Sequence, residues 1–106
     1  MTAEIFNVAR IDDIIHGRVR LGVMAYLMIE DPADFSTLKT KLGVTEGTLS
    51  VHLRKLDEAG YVEIEKTYRG RRPLTRVHLT AAGRVAFHDY VETLGRLAGF
   101  GGGSRP

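Results

Sequence analysis

Cysteine and tryptophan are absent from this sequence, and only three of its 106 residues are proline. Without cysteine the chain forms no disulfide and no thiolate metal site, and cysteine-based redox sensing is excluded. No apolar run approaches the roughly 20 residues that cross a bilayer. Residues 1–10 also lack the basic start and long apolar core of a secretory signal. These absences predict a cytoplasmic protein that has no membrane partner.

The length and composition are those of one globular domain. A chain of 106 residues can bury a single core. With 43% hydrophobic and 26% charged residues, the balance is that of a folded chain rather than a disordered one. We therefore predict one domain over residues 1–98, dimerisation helices included, followed by a flexible Gly-rich tail at residues 99–106.

Acidic residues are missing from residues 66–76, KTYRGRRPLTR. This segment holds five of the 15 Lys and Arg residues and none of the 13 acidic ones, so the rest of the chain carries more acids than bases. A localised patch of this kind indicates a polyanionic partner more strongly than the net charge of +2 does. Its basic residues are Lys66, Arg69, Arg71, Arg72 and Arg76.

Residues 45–60, TEGTLSVHLRKLDEAG, predict a helix with one buried and one polar face. Thr45 is a suitable N-cap because its hydroxyl can accept a hydrogen bond from an amide of the first turn. Gly60 can end the helix in a left-handed conformation. The leucines at helical spacing that form the buried face are Leu49, Leu53 and Leu56. The opposite face carries small, polar or basic side chains, so it can approach another surface closely.

The segments before this helix also have helical patterns. Apolar spacing predicts a short helix before His16 and a longer one over residues 18–30. A further helix, capped by Asp34 or Ser36, ends at Gly43. Two short helices joined by a tight glycine turn predict a helix-turn-helix.

A β-hairpin and a last helix are predicted after residue 60. Residues 61–66 alternate between apolar and polar side chains, the turn signal RGRRP follows, and an apolar strand returns to residue 79. Thr80 can then cap a helix that runs to about Ala98. The hairpin therefore presents the basic segment at its tip.

The string LGVTEGTLSVHLRKLDEAGYVEIEKTYRGRRPLTRVHLTAAG resembles the small single-domain winged-helix transcriptional regulators related to the MarR and ArsR families. The resemblance covers roughly residues 15–97. The positions that carry it are Thr45, Gly47, Leu49, Ser50, His52, Leu53, Leu56, Gly60, Tyr61, Val62, Leu79, Thr80 and Gly83. It implies an α+β, mainly α fold: a winged helix-turn-helix with a two-stranded wing and N- and C-terminal dimerisation helices.

The same resemblance implies a homodimer on double-stranded DNA, with the terminal helices pairing across a two-fold axis. Its two reading helices then lie about 34 Å apart and read an inverted repeat. The apolar residues in excess of one core are the candidate dimer interface: Ile11, Ile14, Ile15, Phe87, Tyr90, Val91, Leu94 and Leu97. Such regulators commonly hold an apolar pocket, which implies a small-molecule effector, although no residue here identifies one.

The polar face of helix 45–59 and the basic hairpin are the candidate DNA contacts. A helix fits the major groove, which is about 12 Å wide, and hairpin arginines reach phosphates or the minor groove. The recognition-helix candidates are Thr45, Gly47, Thr48, Ser50, Val51 and Arg54, and the wing candidates are the five bases of residues 66–76. Lys39 and Lys41 are candidate contacts to the DNA backbone, and a solvated helix face explains them equally well.

Metal, cofactor and catalytic chemistry find little support in the residues. The chain lacks the cysteine pair of ArsR-type metal sensors, and His88 with Glu92 supplies only two ligands on one helix face. A Gly-rich phosphate loop, a nucleophile–base spacing and paired carboxylates are all missing. We therefore predict no metal, no cofactor and no enzymatic activity. His52 is predicted to pack or to form a hydrogen bond rather than to bind a ligand.

The predicted function is a DNA-binding transcriptional regulator that acts as a repressor. The alternative, from another class, is a winged helix that binds a protein instead of DNA. In that alternative the basic wing contacts an acidic partner, so the two hypotheses differ in whether the folded protein binds duplex DNA at low salt.

Overall fold

Four α-helices and a three-stranded antiparallel sheet make up residues 8–99, the part of the chain that this computed structural model describes. A 3₁₀ turn at Val8–Arg10 precedes them. The helices are α1 (Arg18–Ile29), α2 (Phe35–Leu42), α3 (Glu46–Glu58) and α4 (Ala81–Leu97), and the strands are β1 (Ala33–Asp34), β2 (Val62–Arg69) and β3 (Arg72–Leu79). The mainly α, α+β class expected from the sequence is confirmed. Apart from Gly99, the predicted Gly-rich tail lies outside the described residues.

The helix-turn-helix is formed by α2 and α3, and its boundaries lie where the sequence predicts them. The Thr45 hydroxyl accepts a hydrogen bond from the Thr48 amide at 3.1 Å, which caps α3. Gly43 (φ 65°) and Gly60 (φ 81°) follow the ends of α2 and α3 in the left-handed conformation that favours glycine. The turn between the two helices is therefore determined by local residue chemistry.

The wing is the hairpin of β2 and β3, paired from Val62↔Leu79 at its base to Arg69↔Arg72 beside the turn. A third strand, β1, pairs with β3 in the register Ala33↔Val77 and Asp34↔Arg76. The sequence predicts the two long strands but not β1, because two residues are too few for a periodic signal. This short strand fixes the wing to the residues that lead into α2.

The core lies between helices α1–α3 and the inner face of the sheet. Leu49, Leu53 and Leu56 of α3 are almost completely buried, together with Val23, Met24 and Leu27 of α1, Leu38 of α2, and Val62 and Val77 of the sheet. Burying one such side chain stabilises the fold by roughly 1.5–3 kcal/mol. The leucine face of α3 is therefore held against the core, and its polar face is directed outward.

The short helix predicted before His16 is wrong, because residues 11–16 form a capped turn instead. The Asp12 carboxylate accepts hydrogen bonds from the amides of Ile14 and Ile15, which competes with helix formation. It also accepts a 2.6 Å hydrogen bond from the Tyr61 hydroxyl, which raises the pKa of Tyr61 to about 12. The segment is thereby fastened to the base of the wing.

Helix α4 begins at the predicted cap and packs one side against the rest of the domain. The Thr80 hydroxyl accepts a hydrogen bond from the Gly83 amide at 2.9 Å and donates one to the Gly60 carbonyl at 2.6 Å. Tyr90 and Thr93 are buried, whereas Val85 and Val91 on other sides of the helix are exposed. No helix within residues 8–99 combines the length and apolarity needed to cross a membrane.

Candidate nucleic-acid interface

The outward face of α3 presents the predicted recognition residues to solvent. Five of the six are exposed and Ser50 is half-buried: Thr45, Gly47, Thr48, Val51 and Arg54 are the exposed ones. Val51 is 47% exposed although it is apolar. The hydroxyls of Thr45 and Thr48 are hydrogen-bonded to each other at 2.9 Å, so the first turn of the helix is ordered before any partner arrives.

A groove of about 350 Å³ separates α3 from the wing, and it brings together residues from both predicted DNA-contacting elements. Ser50 and Arg54 line it from α3, and Lys66 and Thr75 line it from the wing. Glu46 and Asp57 add two acids on the α3 wall. Arg54 and Lys66 therefore stand beside one groove, which spacing along the sequence alone did not predict.

The register of the wing separates its basic residues onto two faces. Directly paired residues share a face, and successive pairs alternate between faces. Lys66 and Thr75 share the face of buried Val77, whereas Arg69 and Arg72 lie on the other face with Arg76. Gly70 and Arg71 form the two-residue turn between the strands. Lys66, Arg71 and Arg72 are all exposed.

Asp34 has different partners from those that its predicted role as a helix cap requires. It occupies the N-cap position of α2, as predicted, but its side chain makes no capping hydrogen bond. Instead, one carboxylate oxygen lies 3.2 Å from Arg69 Nη2 and the other 3.9 Å from Arg76 Nε. Two of the five wing candidates are therefore paired with an acid of the same chain.

Lys39 and Lys41 are exposed in the last turn of α2, just before the turn that leads to α3. Basic side chains at a helix C-terminus are favoured by the helix dipole, which gives them a structural reason to be there. The solvated-face interpretation thus stays open beside the predicted contact with the DNA backbone.

His52 of α3 connects the recognition helix to the N-terminal turn. Its Nδ1 lies 2.9 Å from Arg20 Nη1, and the same guanidinium donates through Nε to the Ile14 carbonyl. The predicted hydrogen-bonding role of His52 is confirmed. Arg20 was missed, because its partners His52 and Ile14 are 32 and six residues away in the sequence and neither distance is a local signal.

The pKa of His52 lies below its ordinary value of 6.5 because burial disfavours the imidazolium, and because Arg20 and Lys55 add nearby positive charge. Between this lowered pKa and 6.5, the unfolded chain binds a proton that the folded chain does not, so the free energy of unfolding falls as the pH drops.

His52→Asn supplies an acceptor that does not titrate. When the pH is lowered from about 7.5 to about 5.5, we expect the free energy of unfolding of this variant to fall less than that of the unsubstituted chain. Thermal unfolding at both pH values measures this, and equal losses would contradict it.

The predicted dimer interface divides into buried and accessible residues. Ile15 (0% exposed) and Tyr90 (3%) lie inside the subunit and present almost no surface to a partner. The residues that pack partly against the subunit's own core are Ile11, Ile14, Phe87 and Leu94. Val91 is 50% exposed and Leu97 is half-buried. One side of α4 packs against the subunit's own core. In the sequence, an apolar stripe that packs against the core looks the same as one that packs against a second subunit.

The pair His88 and Glu92 does not extend into a ligand cluster. Glu92 lies 3.5 Å from Arg96 one turn further along α4. Within residues 8–99, no group of three or more His, Cys, Asp or Glu side chains is placed to hold a metal ion.

Comparison with known proteins places these features in a family context. The profile of one protein family, described as a winged helix DNA-binding domain, matches residues 19–98. The chain is 38% identical over 85 residues to an uncharacterized protein of Methanocaldococcus jannaschii, a match that covers 80% of this chain and 92% of that protein.

Two solved structures illustrate the structural similarity. A transcriptional regulator homologue from Pyrococcus horikoshii superposes with a TM-score of 0.78 at 30% identity, and the match covers 92% of this chain and 93% of the other. A MarR-family transcriptional regulator from Silicibacter pomeroyi superposes with a TM-score of 0.63 at 24% identity, covering 92% of this chain and 62% of the other. The second similarity concerns the fold alone.

Proposed function

Because this chain belongs to the winged helix DNA-binding domain family, as its resemblance to winged-helix regulators predicted, we propose that it is a transcriptional regulator that binds duplex DNA. Helix α3 enters the major groove and the wing contacts the flanking phosphates. The observation that carries the proposal is the groove that Arg54 of the recognition helix and Lys66 of the wing both line. We also propose that the regulator acts in the cytoplasm, the location that the sequence analysis predicts.

The outward residues of α3 read the base sequence in this proposal. Arg54 contacts a guanine edge or clamps a phosphate, and Ser50 can donate to or accept from a base. Val51 is an exposed apolar side chain that fits a thymine methyl group. Gly47 has no atom within 4 Å of where a Cβ would lie, so the helix can approach the groove closely there. The first-turn hydroxyls of Thr45 and Thr48 complete this face.

The wing supplies most of the affinity. Arg71 at the turn and Arg72 beside it are exposed, and guanidinium groups bind phosphate oxygens with paired hydrogen bonds. Lys66 extends the positive surface back toward α3. An arginine at the tip can also enter a narrow minor groove, where the negative potential is enhanced.

A homodimer is the proposed binding form. The exposed Val85 and Val91 give α4 apolar surface that the subunit leaves in contact with water, and Phe87 and Leu97 of the same helix are only half-buried. A two-fold axis through paired α4 helices produces two recognition helices, which suit an inverted repeat spaced by one DNA turn. Repression requires only that such a dimer occupy its operator, so we propose repression as the mode of action.

Fluorescence anisotropy with random-sequence duplex DNA tests the proposal. At about 50 mM salt we expect binding that weakens steeply as salt is raised, because released counterions drive the association. Duplexes selected from a random library are then expected to contain an inverted repeat and to bind two chains each. No binding at about 50 mM salt by protein that is folded by circular dichroism would contradict the proposal. That outcome would favour the wing as a docking surface for an acidic protein.

A further inference from the structure

Asp34 sits where strand β1 meets the wing, and the sheet register explains its position. It pairs with Arg76 across the β1–β3 ladder, so their side chains share one face of the sheet. Arg69 reaches the same carboxylate from β2, with its Nη2 3.2 Å from Oδ2. The carboxylate thus lies between two arginines that are seven residues apart in the sequence.

The arrangement relieves a repulsion that is built into the hairpin. Arg69 and Arg72 are directly opposite each other beside the turn, and like charges in that position destabilise a hairpin. The Asp34 carboxylate supplies Arg69 with an opposite charge on that face of the wing. Asp34 is also only 23% exposed in its side chain, whereas Arg69 is 68% exposed, so the acid is the fixed partner and the arginine the mobile one.

We propose that Asp34 is a positioning residue that holds Arg69 and Arg76 out of the set of side chains that bind DNA phosphates. The phosphate-binding set of the wing is then Lys66, Arg71 and Arg72. This inference rests on the proposed function. It adds that one acidic residue of the chain determines which basic side chains of the wing bind phosphates and release counterions from DNA.

The physical reason is competition between two anions for one guanidinium. An arginine that stays on a carboxylate neutralises no phosphate and releases no counterion, so it adds nothing to the salt dependence of binding. Removing the charge of Asp34 leaves Arg69 opposite Arg72 without that compensation, so a DNA phosphate can bind the released guanidinium groups. Releasing both arginines therefore strengthens binding and makes it more sensitive to salt.

Asp34→Asn tests the inference, because asparagine has the same shape and is an equally good N-cap residue for α2. We expect the slope of log affinity against log salt to steepen by about 0.9 for each arginine released, and affinity at low salt to rise several-fold. Both arginines reach solvent, with side chains 68% and 40% exposed, and ion pairs screened by water add little to folding, so the melting temperature should be nearly unchanged. The matched control is Glu63→Gln, which removes the same charge from β2 at an exposed residue that contacts neither arginine.

A cycle with Arg69→Ala sharpens the result. In the unsubstituted chain this change is expected to leave the slope as it is, whereas in the Asp34→Asn background it should flatten the slope by about 0.9. The inference is overturned if Arg69→Ala flattens the slope equally in both backgrounds, or if Glu63→Gln steepens it as much as Asp34→Asn does. If Asp34→Asn lowers the melting temperature, Asp34→Ser, which also caps helices, must show the same steepening. Failure of the unsubstituted chain to bind DNA would instead contradict the proposed function itself.

Discussion

Replacing Arg71 and Arg72 together by alanine is expected to flatten the salt dependence of DNA binding by about 1.8 units, because each lost phosphate contact withholds about 0.9 of a released counterion. Affinity at low salt should fall at least about a hundredfold, since each of the two lost charge-assisted contacts contributes roughly 1.5–3 kcal/mol and about 1.4 kcal/mol is a factor of ten. Anisotropy titrations at several salt concentrations measure both quantities.

These two arginines are chosen because they occupy the tip of the wing. Both are exposed, and neither forms an ion pair with another residue of the described range 8–99. Arg69, by contrast, already has an acidic partner in Asp34. Truncating free side chains leaves the ion pairs of the folded domain intact, so a loss of binding is not expected to come with a loss of stability.

The control variant loses a positive charge at a position that is far from the wing in the sequence. Arg96→Ala takes one positive charge from the last turn of α4, where the side chain pairs with Glu92. Arg96→Ala should leave the slope of log affinity against log salt unchanged, whereas Arg71→Ala alone should flatten it. If the double wing variant kept the slope of the unsubstituted chain, the proposed division between specificity on α3 and affinity in the wing would be wrong.

The helix-turn-helix could be predicted almost completely from the sequence, because the signals that form it are local. Thr45 caps α3 through an amide three residues later, and Thr80 caps α4 in the same way. Gly43 and Gly60 mark the ends of α2 and α3 with conformations that other residues rarely adopt. Such signals act over one helical turn, so they can be recognised without any knowledge of the fold.

Features that depend on contacts between distant segments were not predictable. The carboxylate of Asp34 had a local use as a helix cap, and only the pairing of β1 with β3 brings it to the wing arginines. Asp12 likewise has its partner Tyr61 49 residues away in the sequence. A pattern in the sequence shows that a side chain can hydrogen-bond, but the fold decides with which partner.

The same limit applies to the predicted dimer interface. An apolar stripe on α4 was assigned to a partner subunit, yet Tyr90 is 3% exposed within the isolated subunit. Burial against the chain's own core and burial against a second copy require the same residue types. What separates them is the residual exposure, and this leaves Val85 and Val91 as the apolar residues of α4 most open to a partner.

Gly83→Ala is expected to destabilise the domain more than any other small substitution on α4. A Cβ at this position would stand 2.1 Å from the Tyr61 carbonyl oxygen and 2.9 Å from its carbonyl carbon. These are backbone atoms and cannot rotate away, and the Tyr61 oxygen also accepts the Thr80 amide at 3.1 Å. Helix α4 must therefore move off the base of the wing, at a cost of about 3 kcal/mol, near the upper end for overpacking.

Thermal unfolding at one fixed protein concentration measures this effect, because a dimer's melting temperature depends on concentration. A loss of about 3 kcal/mol lowers the melting temperature of a domain of this size by roughly 12–24 °C. Gly47→Ala is the matched control: it lies in α3, meets no atom within 4 Å, and should stabilise the helix by about 0.5–1 kcal/mol. A Gly83→Ala protein that melted within a few degrees of the unsubstituted chain would show that α4 does not dock this closely. The close contact would then not be what orients α4, and with it the exposed Val85 and Val91, relative to the proposed DNA-binding face of α3.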